Sequence, residues 1–97
     1  MPAYIVSVCK ITNPTPEMKQ YAERSAELVA QHGGKYVARG KPAEVLSGEL
    51  WNDRVGILLE FPTMEQLNAF YHSDAYQKDI KPLREGTGIY DIAVFEA

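Results

Sequence analysis

Six residues in this 97-residue chain have the types that move protons or hold flat, oxygen-bearing molecules: His32, Tyr36, Arg39, Glu60, Tyr71 and Tyr76. An arginine such as Arg39 presents the planar fork that grips a carboxylate or enolate through two parallel bonds. His32 or Glu60 can take up and return a proton. Tyrosine rings stack on a flat substrate while their hydroxyls orient it. As a set they suit proton shuttling or oxygenation of a small aromatic or keto compound. His32 and Glu60 would then be the catalytic groups, and Tyr36, Arg39, Tyr71 and Tyr76 the substrate-binding ones. A structural reading stands beside this. Arg39 and Glu60 would pair across neighbouring strands, Tyr71 and Tyr76 would pack a helix and an interface, and His32 would close a helix whose terminal carbonyls favour it. Residue types alone do not separate an enzyme from a non-catalytic dimeric module that binds a metabolite or a partner.

Other chemistries find no support. The chain has no CxxC, HExxH, phosphate-cradling glycine motif or nucleophile elbow. His32 and His72 lack partners at ligand spacing, so neither a metal nor a cofactor is expected. A net charge of -3, a pI near 5.3 and scattered basic residues argue against a nucleic-acid partner. The lone Cys9 rules out an internal disulfide framework and fits a reducing compartment. It lies in a strand pattern, where cysteine usually serves as a small buried hydrophobe. The start, MPAYIVSVCKIT, reads as a strand and not as a secretory signal. No apolar run approaches the ~20 residues of a membrane helix. A cytoplasmic protein without a membrane partner is the expectation.

The elements that must position these residues centre on RVGILLEFPTMEQLNAF, residues 54–70. Val55, Ile57, Leu59 and Phe61 alternate with Arg54, Gly56, Leu58 and Glu60, the period of a strand with one apolar and one mixed face. Pro62 ends it, and Thr63 with Gln66 forms a capping box for the helix carrying Met64, Leu67, Phe70 and Tyr71. Earlier, residues 3–11 read as a central strand, with Tyr4, Val6 and Val8 on one face and Ile5, Ser7, Cys9 and Ile11 on the other. Thr15 and Pro16 open a helix. Its stripe is Met18, Tyr21, Ala22, Ser25, Leu28, Val29 and His32, and Gly33 ends it in the left-handed cap position.

Residues 35–39 give a second strand, with Tyr36 and Ala38 facing opposite to Val37 and Arg39 and a bend at Gly40. Residues 42–46 could extend it as an edge strand. Trp51 stands out on the polar loop 47–53 as a residue that covers a partner or a cavity mouth. A helical turn from Ser73, limited by Pro82 and packed by Tyr76, Ile80 and Leu83, leads to a last strand over 89–95. The order β-α-β-β-α-β over a single domain, 1–97, predicts an α+β, ferredoxin-like fold with an antiparallel sheet. Helices can cover only one face of that sheet. The apolar open face then calls for a second copy, which gives a homodimer with its sheets facing and a small-molecule cavity between them.

Three stretches, MPAYIV, QHGGKYVARG and VGILLEFPTMEQLNAFYHSDAYQ, together resemble the family catalogued as domain of unknown function 1330, in the dimeric α/β-barrel superfamily. The matching positions are His32, Gly33, Gly34, Tyr36, Arg39, Gly40, Glu60, Phe61, Pro62, Tyr71, Ser73 and Tyr76, whereas loop 47–53 matches poorly. The resemblance implies a ferredoxin-like fold and a homodimer, and it implies no activity. Relatives in the superfamily include cofactor-independent monooxygenases, lactone isomerases, polyketide cyclases and haem enzymes, an analogy at the level of fold.

Overall fold

A computed structural model covers residues 1–97. Four strands, β1 (Ala3–Ile11), β2 (Lys35–Gly40), β3 (Val55–Phe61) and β4 (Gly88–Glu96), form one sheet in the order β2-β3-β1-β4. Every pairing is antiparallel. Two helices, α1 (Glu17–Gln31) and α2 (Met64–Tyr71), lie on one side of it. This is the α+β ferredoxin-like arrangement, a two-layer slab of 33 × 32 × 16 Å.

The pleat decides which residues meet the helices. Ala3, Ile5, Ser7 and Cys9 of β1 pair with Phe61, Leu59, Ile57 and Val55 of β3 on the helix-facing side. Ala3, Ile5, Leu59 and Phe61 join Leu28 and Val29 of α1, Leu67 and Phe70 of α2, and Tyr76 and Ile80 in the core. Only 15 of 97 residues are buried, which is a small core for a chain that must offset its chain entropy. The other face carries Tyr4, Val6, Val8, Leu58, Ile89 and Phe95, with Ile89 and Phe95 more than half exposed.

Local signals act mostly as their chemistry dictates. The Gln66 amide donates to Thr63 Oγ1 at 3.1 Å, capping α2, and the Gln66 side chain meets the same hydroxyl at 3.4 Å. Gly33 takes φ 76°, ending α1 in the left-handed region that an L side chain resists. Thr15 gives no side-chain cap: Pro16 stands at the helix entrance, and the Thr15 carbonyl accepts from Met18 N–H instead. Residues 41–53 form no strand, so the expected edge extension at 42–46 is absent.

After α2 the chain makes a wide helical turn, Ala75–Ile80, then a tight 3-10 turn, Lys81–Arg84. Pro82 supplies the reason. It has no N–H to give and its ring crowds the preceding turn, so the regular α ladder cannot run through it.

Candidate functional site

Two hollows flank the sheet. The larger is an open groove of about 740 Å³ between loop 41–51 and the bare face. Its floor includes Gly56, over which the Trp51 ring lies: a Cβ at position 56 would sit 3.0 Å from that ring. The smaller hollow, about 240 Å³, lies between sheet and helices. We place the candidate site in the second, because polar groups converge there inside an apolar wall. The groove on the bare face is where an intersheet cavity would lie, and Arg39 lines both hollows. Tyr36, Arg39, Tyr71 and Tyr76 all line the chamber on the helix side.

Five of the six tyrosines line this chamber: Tyr21, Tyr36, Tyr71, Tyr76 and Tyr90. Tyr21 hangs from α1 and Tyr71 from α2. Tyr76 projects from the wide turn, where Ser73 Oγ accepts its backbone N–H at 3.1 Å. The Tyr21 and Tyr76 hydroxyls are 2.8 Å apart. The Tyr76 ring lies 4.9 Å from Tyr71 and 5.1 Å from Phe70, centroid to centroid. Such aromatic pairs contribute about 0.5–1.5 kcal/mol each beyond area burial. Tyr90 and Thr87 hydroxyls lie 2.6 Å apart. Ser7 Oγ and Cys9 Sγ, 2.9 Å apart, complete the wall from β1.

Arg39 reaches the chamber through a break in the strand pattern. Tyr36 pairs with Leu59 and Ala38 with Leu58, so Val37 is an extra residue, a β-bulge. The bulge shifts the alternation, and Arg39 falls on the same face as Tyr36, its guanidinium carbon 5.0 Å from that ring's centroid. Strict alternation predicts the opposite. No residue type in KYVARG marks Val37 as the extra one. The expected Arg39–Glu60 pair is likewise absent. Glu60 lies on the bare face, 3.8 Å from Lys35 Nζ, an exposed ion pair of small energetic weight.

His32 does not line the chamber either. Its Nδ1 lies 3.0 Å from the Leu28 carbonyl, and its ring meets the edge of Phe70, behind the chamber wall. The structure therefore gathers the four expected binding residues and leaves the two expected proton-transfer residues outside. In the sequence Tyr21 and Tyr90 are legible only as members of an apolar stripe and of a strand.

The chamber's electrostatics follow from burial. Tyr21, Tyr36 and Tyr76 are all pushed above the usual phenol range, chiefly because burial disfavours the phenolate. For Tyr76, the neighbouring Tyr21 adds to this. These hydroxyls thus remain protonated hydrogen-bond donors at neutral pH. Arg39 is the one lining residue charged at that pH, and no carboxylate or histidine is among them. No three His, Cys, Asp or Glu side chains come together as a metal-binding group. No helix is long and apolar enough to cross a membrane.

Solved structures share this architecture. A Rhodopseudomonas palustris protein of unknown function superposes with a TM-score of 0.71 at 16% identity, over 99% of this chain and 82% of that one. A variant of SnoaB, a cofactor-independent oxygenase from Streptomyces nogalater, does so at 0.67 and 12%, over 99% and 92%. A dimeric ferredoxin-like protein of unknown function from Thermobifida fusca gives 0.66 and 13%, over 100% and 92%. At these identities the likeness concerns the fold alone, that of an α+β ferredoxin-like protein. Among curated proteins nothing matches. The chain belongs to the family described as domain of unknown function (DUF1330), whose pattern spans residues 2–97.

Proposed function

We propose that this protein is a homodimeric, cofactor-independent enzyme acting on a small aromatic or keto compound held in the phenol-lined chamber. The observation that carries the reading is the Tyr21–Tyr76 hydroxyl pair, set in an apolar wall. Tyr71 and Tyr76 would stack on the flat substrate. The paired phenols would donate to its carbonyl or enol oxygen, and Arg39 would hold a second polar group near the rim. Donors fixed in a water-poor chamber stabilise an enolate more strongly than water does. Enolate stabilisation suits oxygenase, isomerase and cyclase chemistry alike. The volume lies below the roughly 300–1,000 Å³ of drug-sized sites, which favours a small substrate.

His32 and Glu60, expected as acid and base, stand outside the chamber, so in this reading the acid role passes to the protonated phenols. The likeness to SnoaB supports the oxygenase variant at the level of fold. The dimer is supported by the bare apolar face and by the dimeric Thermobifida fusca relative.

One observation favours the second reading, a dimeric metabolite-binding module. The chamber lining offers no carboxylate or imidazole to act as base. Small hydroquinones and 1,3-diketones, screened by oxygen uptake and by proton NMR of products, distinguish the two. Turnover that disappears in Tyr76→Phe and Arg39→Ala while the dimer persists supports the enzyme. Saturable binding with no turnover of any compound supports the module.

A further inference from the structure

The chain contains two buried side-chain polar atoms without a hydrogen-bond partner, Ser25 Oγ and Arg84 Nη1. One belongs to the chamber lining and the other packs against two of the lining rings. Ser25 is the lining residue. It stands close enough to the Tyr21 phenol to favour that group's ionised form, yet without hydrogen-bond geometry. Arg84 is only 8% exposed. Its guanidinium carbon lies 4.5 Å from the Tyr90 ring centroid and 5.8 Å from that of Tyr21, two of the lining residues.

A buried guanidinium ordinarily has a carboxylate beside it, since an uncompensated charge in a low dielectric is strongly disfavoured. Here the ion pairs are Lys35–Glu60, Arg54–Asp91 and Lys78–Asp74, and Arg84 belongs to none of them. The two aromatic rings compensate part of the charge through their faces, but a ring face leaves the Nη1 hydrogens unused. The field of Arg84 also reaches the hydroxyl pair, favouring ionisation of both Tyr21 and Tyr76. Arg39, on the far strand, is the one positive charge within the lining itself.

From this juxtaposition we infer that the chamber takes an anionic ligand, a small aromatic or enolic compound whose negatively charged oxygen lies at the Tyr21–Ser25 end and is neutralised by Arg84. The inference rests on the chamber being the site and refines its substrate class to carboxylates, phenolates and enolates. Ser25 and the Tyr21–Tyr76 pair would supply hydrogen bonds to the same oxygen. Arg84 would supply the charge by its field through the Tyr21 and Tyr90 rings that stand between it and the chamber. An oxygen anion in this position gives a partner to each orphaned group that can reach it.

The test compares small aromatic acids, benzoate and salicylate, with their uncharged amides, benzamide and salicylamide. Binding is followed by calorimetry on the full-length protein and on Arg84→Met. The expected result is that the acids bind at least about tenfold more tightly than the amides, and that Arg84→Met removes this preference while leaving amide affinity unchanged. Arg84→Met should keep or raise the melting temperature, because an unpaired buried charge is replaced by an apolar side chain of similar length. A purely structural Arg84 would instead give a clear drop in melting temperature and an unaltered acid-to-amide ratio. Should Arg84→Met fail to fold, the ratio in the unmodified protein still decides. Equal affinity for acids and amides overturns the inference and leaves the chamber as a site for neutral compounds. Absence of binding by all four overturns the inference and the chamber as the site together.

Discussion

Tyr21 and Tyr76, 55 positions apart in the chain, share a hydroxyl–hydroxyl contact of 2.8 Å that ties α1 to the wide turn after α2. Because each hydroxyl is the other's partner, removing one leaves the other buried without a bond. Tyr21→Phe and Tyr76→Phe should each destabilise the fold by about 1–2 kcal/mol, while the double variant should lose less than the sum. Urea unfolding of the four proteins measures this. Strict additivity would mean that the contact contributes nothing.

The same two phenols, with Tyr36, set the alkaline limit of stability. All three are raised above the usual phenol range, mainly by burial. In the unfolded chain they ionise near pH 10. Above that pH the native state therefore holds more protons than the unfolded one, and stability falls as pH rises. Below it both states are protonated, and these groups give no slope. Ultraviolet titration of tyrosinate should show a late-ionising fraction that shrinks in each of Tyr21→Phe, Tyr36→Phe and Tyr76→Phe. The urea midpoint should decline only beyond the onset of phenol ionisation.

The bulge at Val37 is the device that turns Arg39 toward the helices. Deleting Val37 should remove the extra residue and leave Tyr36 opposite Leu59, Ala38 opposite Leu58 and Arg39 opposite Ile57, so Arg39 should stay on the helix side. Since β2 is an edge strand, the fold should survive. Ligand affinity should therefore be kept in the deletion, whereas Arg39→Ala, which removes one charged hydrogen-bonding group, should lower it on the order of tenfold. Circular dichroism with a binding titration checks both halves. Unchanged affinity in Arg39→Ala would show that Arg39 does not hold ligand.

A charge placed on the bare face should separate the protomers. Leu58 lies mid-strand on that face beside Val6. Leu58→Asp would bring an unpaired carboxylate into an apolar interface, a strongly unfavourable burial. Light scattering behind gel filtration should give a dimer for the unmodified chain and a folded monomer for Leu58→Asp. A monomeric unmodified protein at micromolar concentration would refute the dimer.

Where pattern and physics coincide, the sequence is a sufficient guide. The two faces of β1, the Thr63 cap, the Gly33 stop and the βαββαβ order all follow from local chemistry that tertiary structure leaves alone. Three features lie beyond such patterns. A bulge adds one residue without changing residue type, so Arg39 reads as facing away from Tyr36. Arg84 stands apart from the other polar candidates in the sequence, and the turn that buries it depends on how Pro82 reshapes the segment. The hollow beneath the helices is a property of packing that no residue pattern in the chain announces.

The placement of Trp51 over Gly56 has a practical consequence. It is the only indole in the chain and sits on the bare side of the sheet, whereas five tyrosines ring the opposite side. Intrinsic emission excited at the indole therefore reports what docks against the outer surface, and phenol signals report what enters beneath the helices. Assembly and ligand occupancy can thus be followed separately in one unlabelled sample.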